Sequence, residues 1–248
     1  MSREKAYLER VGLLVGEDVL ARLGAVRVLL FGCGGVGSWC AEGLVRSGIR
    51  HITLVDADVI SESNVGRQLM ATPRTVGQVK VEALRDRLLE IAPDAEVTVL
   101  HKIFSAETAG EFAMEEYDYI LDAIDSLKDK GELILRATRT PAKFFCSMGA
   151  ACKVDPTLVK VGEFWNVRGC PLGAALRKKF KQNHTWPGHK FRCVYDEEVL
   201  PNRGGEGEAE TDLFNKAQIN GALVHITAMF GMTLAGLVIE DVYHQVVG

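Results

Sequence analysis

The sequence predicts an α/β fold: a Rossmann-like, doubly wound, mainly parallel sheet with helices on both faces, followed by a less regular C-terminal part. Three observations predict it. Short apolar bursts alternate with segments of helical period along the chain. A glycine cluster stands between the first burst and the first helix. The chain has 248 residues, 47% hydrophobic and 25% charged, enough apolar material for one large core.

In chain order, residues 1–25 form a charged helical arm. Its opening, MSREKAYLER, lacks the apolar run of a secretory signal, so a cytoplasmic location is expected. Strands are predicted at 26–31, 51–55, 96–100, 119–121, 144–148, 158–163 and 191–195, where β-branched and aromatic residues concentrate between turn signals. A helix at 38–47 is closed by Gly48, one at 79–91 is stopped by Pro93, and Ser126 caps one running to about residue 139. The acidic, glycine-rich stretch 201–212 is expected to be a mobile surface loop. Residues 219–239 are apolar and nearly long enough to cross a membrane. However, Gly221, Ala222, Ala228, Gly231, Ala235 and Gly236 suit a helix pressed against a sheet or a partner, so no membrane span is expected, and His225 reads as a buried, hydrogen-bonded side chain. The whole of 1–248 reads as one domain, with a nucleotide-binding core at 26–155 and a substrate-side and dimerisation part at 156–248.

The net charge of −4 excludes a global basic field, so any nucleic-acid contact rests on a local patch. One patch exists at 176–192, where eight Lys, Arg or His side chains accompany Phe180, Trp186 and Phe191. Such a segment can neutralise phosphates and stack a base, and it equally suits an amphipathic helix with a solvated face. The six cysteines form no C-x-x-C pair and read as reduced thiols, with Cys33 and Cys193 as packing residues.

The glycines Gly32, Gly34, Gly35 and Gly37 follow a strand and open a helix, where backbone amides and the helix N-terminus receive phosphate. Asp56 ends the second strand, placed to accept hydrogen bonds from ribose hydroxyls. Asp58, Asn64, Arg67, Gln68 and Lys80 follow closely. Two fixed cations and an amide suit a triphosphate, whereas hydride transfer leaves them without a task. Asp122 ends a further strand, and Asp125 just beyond it is a candidate Mg2+ ligand. Taken singly, Arg67, Lys80 and Asp125 each suit a surface salt bridge; together, behind that glycine turn, they point to ATP.

Residues 32–68, Lys80 and 122–125 resemble the superfamily of ubiquitin-activating-like (ThiF/MoeB-type), ATP-dependent adenylating enzymes. That resemblance implies Asp56 on ribose, Asn64, Arg67 and Lys80 around the phosphates and Asp125 on magnesium. It further implies a homodimer in which Arg10 reaches the partner's ATP, although Tyr7 stands where related sequences often carry another arginine. Within the superfamily, SMGAACKVDPTLVKV, PLGAALRKKFK and RCVYDEEVLP resemble the tRNA threonylcarbamoyladenosine dehydratase family across about residues 7–242. Ala151, Cys152 and Cys170 depart from that family's pattern. The implied activity is ATP-dependent cyclising dehydration of threonylcarbamoyladenosine in tRNA through an acyl-adenylate, with a sulfur-relay protein as a further candidate partner. The two readings set against it are adenylation of the C-terminus of a ubiquitin-like sulfur-carrier protein, and a nucleotide-binding dehydrogenase or sensor.

Overall fold

The computed structural model describes residues 6–203 and 220–248. Most of the predicted loop 201–212 therefore lies outside the described residues. Seven strands form one sheet in the order β3-β2-β1-β4-β5-β7-β6: β1 Arg27–Phe31, β2 His51–Val55, β3 Glu96–Leu100, β4 Tyr119–Asp122, β5 Lys143–Ser147, β6 Val159–Glu163 and β7 Arg192–Asp196. All neighbours pair parallel except β6, which runs antiparallel to β7.

Strands buried on both faces explain the unbroken apolar runs of the sequence. In β1, Val28 and Leu30 face one core while Leu29 and Phe31 face the other. The first core is closed by α2 (Glu17–Ala25), α3 (Gly37–Arg46), α4 (Lys80–Ile91) and α7 (Val224–Val247). The second is closed by α5 (Leu127–Ala137) and α6 (Pro171–Gln182), with Phe31, Phe104 and Phe112 packed edge to face or tilted. The remaining helix, α1 (Glu9–Val15), leads into α2. Caps fix the helix starts: the Ser126 hydroxyl accepts from the Asp129 amide at 3.4 Å, and Pro171 opens α6 behind the Cys170 sulfur, which accepts from the Gly173 amide at 3.3 Å.

Among the described residues, α7 is long and apolar enough to cross a membrane, with a mean hydropathy of 1.4, yet half of its most apolar window is buried inside the protein. It runs along α3 because small residues let the two backbones close up. A Cβ on Gly231 would lie 2.4 Å from the Val36 carbonyl oxygen, and one on Gly43 would lie 3.1 Å from the Met232 sulfur. Ile226, Phe230, Leu234, Val238 and Val242, one turn apart, are all fully buried. Their burial contributes on the order of 10 kcal/mol before entropic costs. His225 corrects the expectation: it is hydrogen-bonded, at 2.9 Å from the Val154 carbonyl, but exposed, because it lies on the outward side of the first turn.

Candidate functional site

The order reverses where β1 meets β4, and the loops at the carboxyl ends of β1, β2 and β4 converge there, the usual ligand crevice of such sheets. The turn after β1 is tied to both neighbours: the Gly32 amide donates to the Val55 carbonyl at 2.8 Å, and the Phe31 carbonyl accepts from the Ala123 amide at 2.8 Å. Gly32 has φ +85° and a Cβ there would sit 2.8 Å from Ala123 backbone atoms, while one on Gly37 would sit 1.8 Å from the Gly32 carbonyl oxygen. These two glycines are demanded by the chain itself. Gly35 lies under Thr227 of α7 and Arg67, at 3.2–3.3 Å from a would-be Cβ. Gly34 differs: a Cβ there would meet only the Gln68 amide nitrogen, at 3.8 Å. Protein packing leaves that place open, as the close approach of a bound phosphate requires.

Asp56 closes one side. Its Oδ2 accepts from the Cys33 amide at 2.7 Å and its Oδ1 from the Asp58 amide at 2.9 Å. Burial raises its pKa, with Lys80 pulling in the opposite direction. Each oxygen keeps a lone pair for a further donor. Lys80 is almost fully buried and pairs with Asp58 at 2.6 Å. It is brought there by an antiparallel bridge between Val59 and Val79 and by its own amide, which donates to the Asp58 carbonyl at 3.0 Å.

The Arg67 side chain is half-buried and donates to the Ser63 carbonyl at 3.0 Å. Asn64 is turned inward: its Oδ1 accepts from the Ser61 amide at 3.2 Å, completing a capping box, and its carbonyl accepts from the Arg67 and Gln68 amides. It therefore shapes the turn carrying Arg67 and Gln68, and its amide nitrogen donates to the Ser63 hydroxyl at 3.5 Å. Gln68 is buried beside Gly34 with its Oε1 unpartnered, a group that costs about 1–3 kcal/mol until a donor reaches it. Ser38 and Trp39 pin this segment: the Ser38 hydroxyl donates to the Gly34 carbonyl at 2.7 Å and accepts from the Leu69 amide at 3.1 Å, and the Trp39 indole donates to the Arg67 carbonyl at 3.2 Å. Sequence reasoning missed both, since a Ser and a Trp on a first helical turn look like ordinary amphipathic positions.

Asp122 corrects its assignment as a nucleotide ligand. It is fully buried, pairs with the equally buried Lys130 at 2.9 Å, and accepts from the Ile124 amide at 2.9 Å and from the Cys146 thiol at 3.3 Å. Burial alone would lower the pKa of Lys130, but Asp122 beside it raises it, so the ammonium is kept. The signal was available: Lys130 occupies the inward stripe of α5 with Leu133, Ile134 and Ala137, a position that obliges a lysine to find a buried partner. Asp125 is exposed at the same strand edge.

Arg10 is exposed on α1 and is not gathered at this crevice. The Tyr7 hydroxyl, just before it, accepts at 2.6 Å from the guanidinium of Arg50, which precedes β2 and so marks the opposite edge of the sheet. The basic segment 176–192 also needs correction, since Phe180 and Phe191 are buried in the second core and only Trp186 is exposed. Cys33 and Cys193 are fully buried, as expected. No group of three or more His, Cys, Asp or Glu able to cage a metal occurs among the described residues.

The ThiF family model matches residues 8–244. The tRNA threonylcarbamoyladenosine dehydratase of Haemophilus influenzae is 33% identical over 250 residues, covering 97% of this chain and 95% of that one. The crystal structures of Escherichia coli tRNA N6-threonylcarbamoyladenosine dehydratase, TcdA, in complex with AMP and with ATP superpose with TM-scores of 0.88 and 0.87 at 28% identity, covering 99% of this chain and 97% of that one.

Proposed function

The chain belongs to the ThiF family and, within it, to the tRNA threonylcarbamoyladenosine dehydratases, and from this premise we propose that it uses ATP to cyclise threonylcarbamoyladenosine in tRNA with loss of water. What supports the reading most is that the likeness runs the full length of both chains, the substrate-side half included, and that the matched structures hold AMP and ATP.

In this reaction the threonylcarbamoyl carboxylate attacks the α-phosphorus of ATP, pyrophosphate leaves, and an atom of the same group then attacks the activated carbonyl, expelling AMP. The oxygen lost from the nucleoside departs on AMP. No protein nucleophile is needed, consistent with the burial of Cys193. The chain contributes binding, orientation and charge. Amides of the 32–37 turn receive phosphate beside Gly34, Asp56 and the unpartnered Gln68 oxygen accept donors from the nucleoside, and Asn64 sets the turn. Lys80, released from Asp58, and Arg67 take up charge as pyrophosphate departs. No metal cage occurs among the described residues, and Asp125 would hold a magnesium ion carried on the triphosphate; such an ion would supply charge neutralisation at the phosphoryl oxygens.

A homodimer belongs to the same proposal. Leu13 and Leu14 of α1 are 82% and 83% exposed, next to an apolar cavity of about 370 Å³ formed by Leu14, Val15, Gly236, Ile239, Glu240 and Tyr243. A second copy covering this face would bring Arg10, on the same helix, to the partner's site. In the arrangement proposed, 1–25 is the arm, 26–155 the nucleotide core and 156–248 the substrate and dimer part of one cytoplasmic domain, with a sulfur-relay protein as an accessory partner.

The test is to incubate the protein with magnesium-ATP and tRNA bearing threonylcarbamoyladenosine while following AMP and nucleoside mass. The expected result is loss of one water per AMP. No mass change, with pyrophosphate exchange only on addition of a diglycine-ended carrier protein, would transfer the assignment to carrier adenylation. Asp125→Ala should abolish AMP formation with an unchanged thermal transition.

A further inference from the structure

We propose that the slot walled by Trp165 and Trp186 stacks an unpaired nucleotide of the tRNA on the exposed face of Trp186, at a point remote from the reacting adenosine, an inference that rests on the tRNA reading above. The slot is an open cavity of about 370 Å³ lined by Trp165, Lys181, Trp186, Pro187, His189 and Lys190. Its two indoles touch, with centroids 5.6 Å apart and planes at 47°, which leaves the outer face of Trp186 48% exposed. Both are held in place. The Glu163 carboxylate accepts from the Trp165 amide at 3.1 Å, and Phe164 meets the Trp165 ring edge-on at 5.2 Å. On the other wall Arg139 donates to the Trp186 carbonyl at 3.1 Å and the Gly188 amide donates to the Thr138 hydroxyl at 2.9 Å.

A fixed, half-exposed indole face backed by a second indole and flanked by lysines, with no carboxylate in the lining, matches a base on a phosphate backbone: the ring stacks and the ammonium groups meet the phosphates. An acidic peptide would use the lysines but leave the indole faces without planar partners. The place of the slot defines what it touches. Trp165 follows the end of β6, whose last residue Glu163 pairs with Arg192 at the start of β7. The slot therefore lies at the amino edge of the parallel strands, whereas the nucleotide crevice lies at their carboxyl edge. Five-residue strands separate the two by roughly 16 Å or more. A tRNA is long enough to span both, so the slot acts on tRNA affinity and register, not on chemistry.

Steady-state turnover of the full-length enzyme on modified tRNA decides it. Trp186→Ala should raise KM for tRNA about tenfold, leaving kcat, KM for ATP and the thermal transition unchanged, and Trp186→Phe should restore most of the loss. Lys181→Ala with Lys190→Ala should lower the salt slope of tRNA binding by about 1.5. An unchanged KM for tRNA in Trp186→Ala overturns the proposal, as does a rise matched by one in KM for ATP. Failure of the tRNA reading itself looks different, because the wild-type enzyme would then release no AMP on modified tRNA.

Discussion

Replacing Lys130 by Met tests whether Asp122 supports the fold or holds the nucleotide. Both side chains are fully buried 2.9 Å apart, and Lys130 also donates to the Ile124 carbonyl at 2.8 Å. Methionine keeps the volume but leaves the Asp122 carboxylate with only an amide and a thiol. Stranding a buried charge in this way costs about 3–5 kcal/mol. For a chain of this size that corresponds to a fall in Tm of roughly 6–20 °C. The double variant Asp122→Asn with Lys130→Met removes the stranded charge and should recover about 2 kcal/mol or more. Urea denaturation followed by tryptophan fluorescence at one fixed protein concentration reads all three differences. A Lys130→Met variant within about 1 kcal/mol of wild type, or a double variant no more stable than it, would refute the reasoning. ATP affinity adds a separate check: a folded double variant that binds ATP more than tenfold weaker than wild type would return Asp122 to the nucleotide ligands.

Further expectations follow from the crevice. Gly34→Ala should fold with an unchanged Tm and lose ATP affinity by tenfold or more in calorimetry, whereas Gly37→Ala, whose Cβ would collide with the Gly32 carbonyl, should fail to fold. Lys80→Ala should lower kcat about 10²–10³-fold as read by AMP release. Leu14→Asp should yield a monomer by light scattering and lose activity if the partner's Arg10 completes the site. In native protein at pH 8, a thiol reagent should modify Cys152 alone, because burial raises the thiols of Cys33, Cys40 and Cys146 and encloses Cys170 and Cys193; mass spectrometry locates the adduct.

The strands and the glycine turn were legible in the sequence because their signals are local: period-two burial on two faces, glycines before a helix, Ser126 before α5. β2 and β3 begin and end where the pattern places them, and the others shift by a residue because the hydrogen-bonding ladder, not apolarity, sets their ends. The site was legible as a set of charges but not as an arrangement. Asp122 and Asp125 look alike in YILDAIDS; only Lys130, brought in by the packing of α5, separates a buried support from an exposed carboxylate. Asn64 could not be distinguished from a phosphate donor without the Ser61 cap. Phe180 and Phe191 looked like stacking platforms until the second core absorbed them, leaving the slot to Trp165 and Trp186, which lie on either side of α6 in sequence.

The seating of α7 on the glycine turn bears on how the protein is made. Thr227 and Gly231 back the turn that begins at Gly32, yet they are translated about two hundred residues after it, a delay of roughly 10–40 s at cellular elongation speeds. During that interval the emerging β1–β4 unit has its nucleotide turn without the helix that braces it. Competence to bind ATP should therefore arrive late and abruptly on the ribosome, and stalled or prematurely terminated chains should be unable to engage the nucleotide.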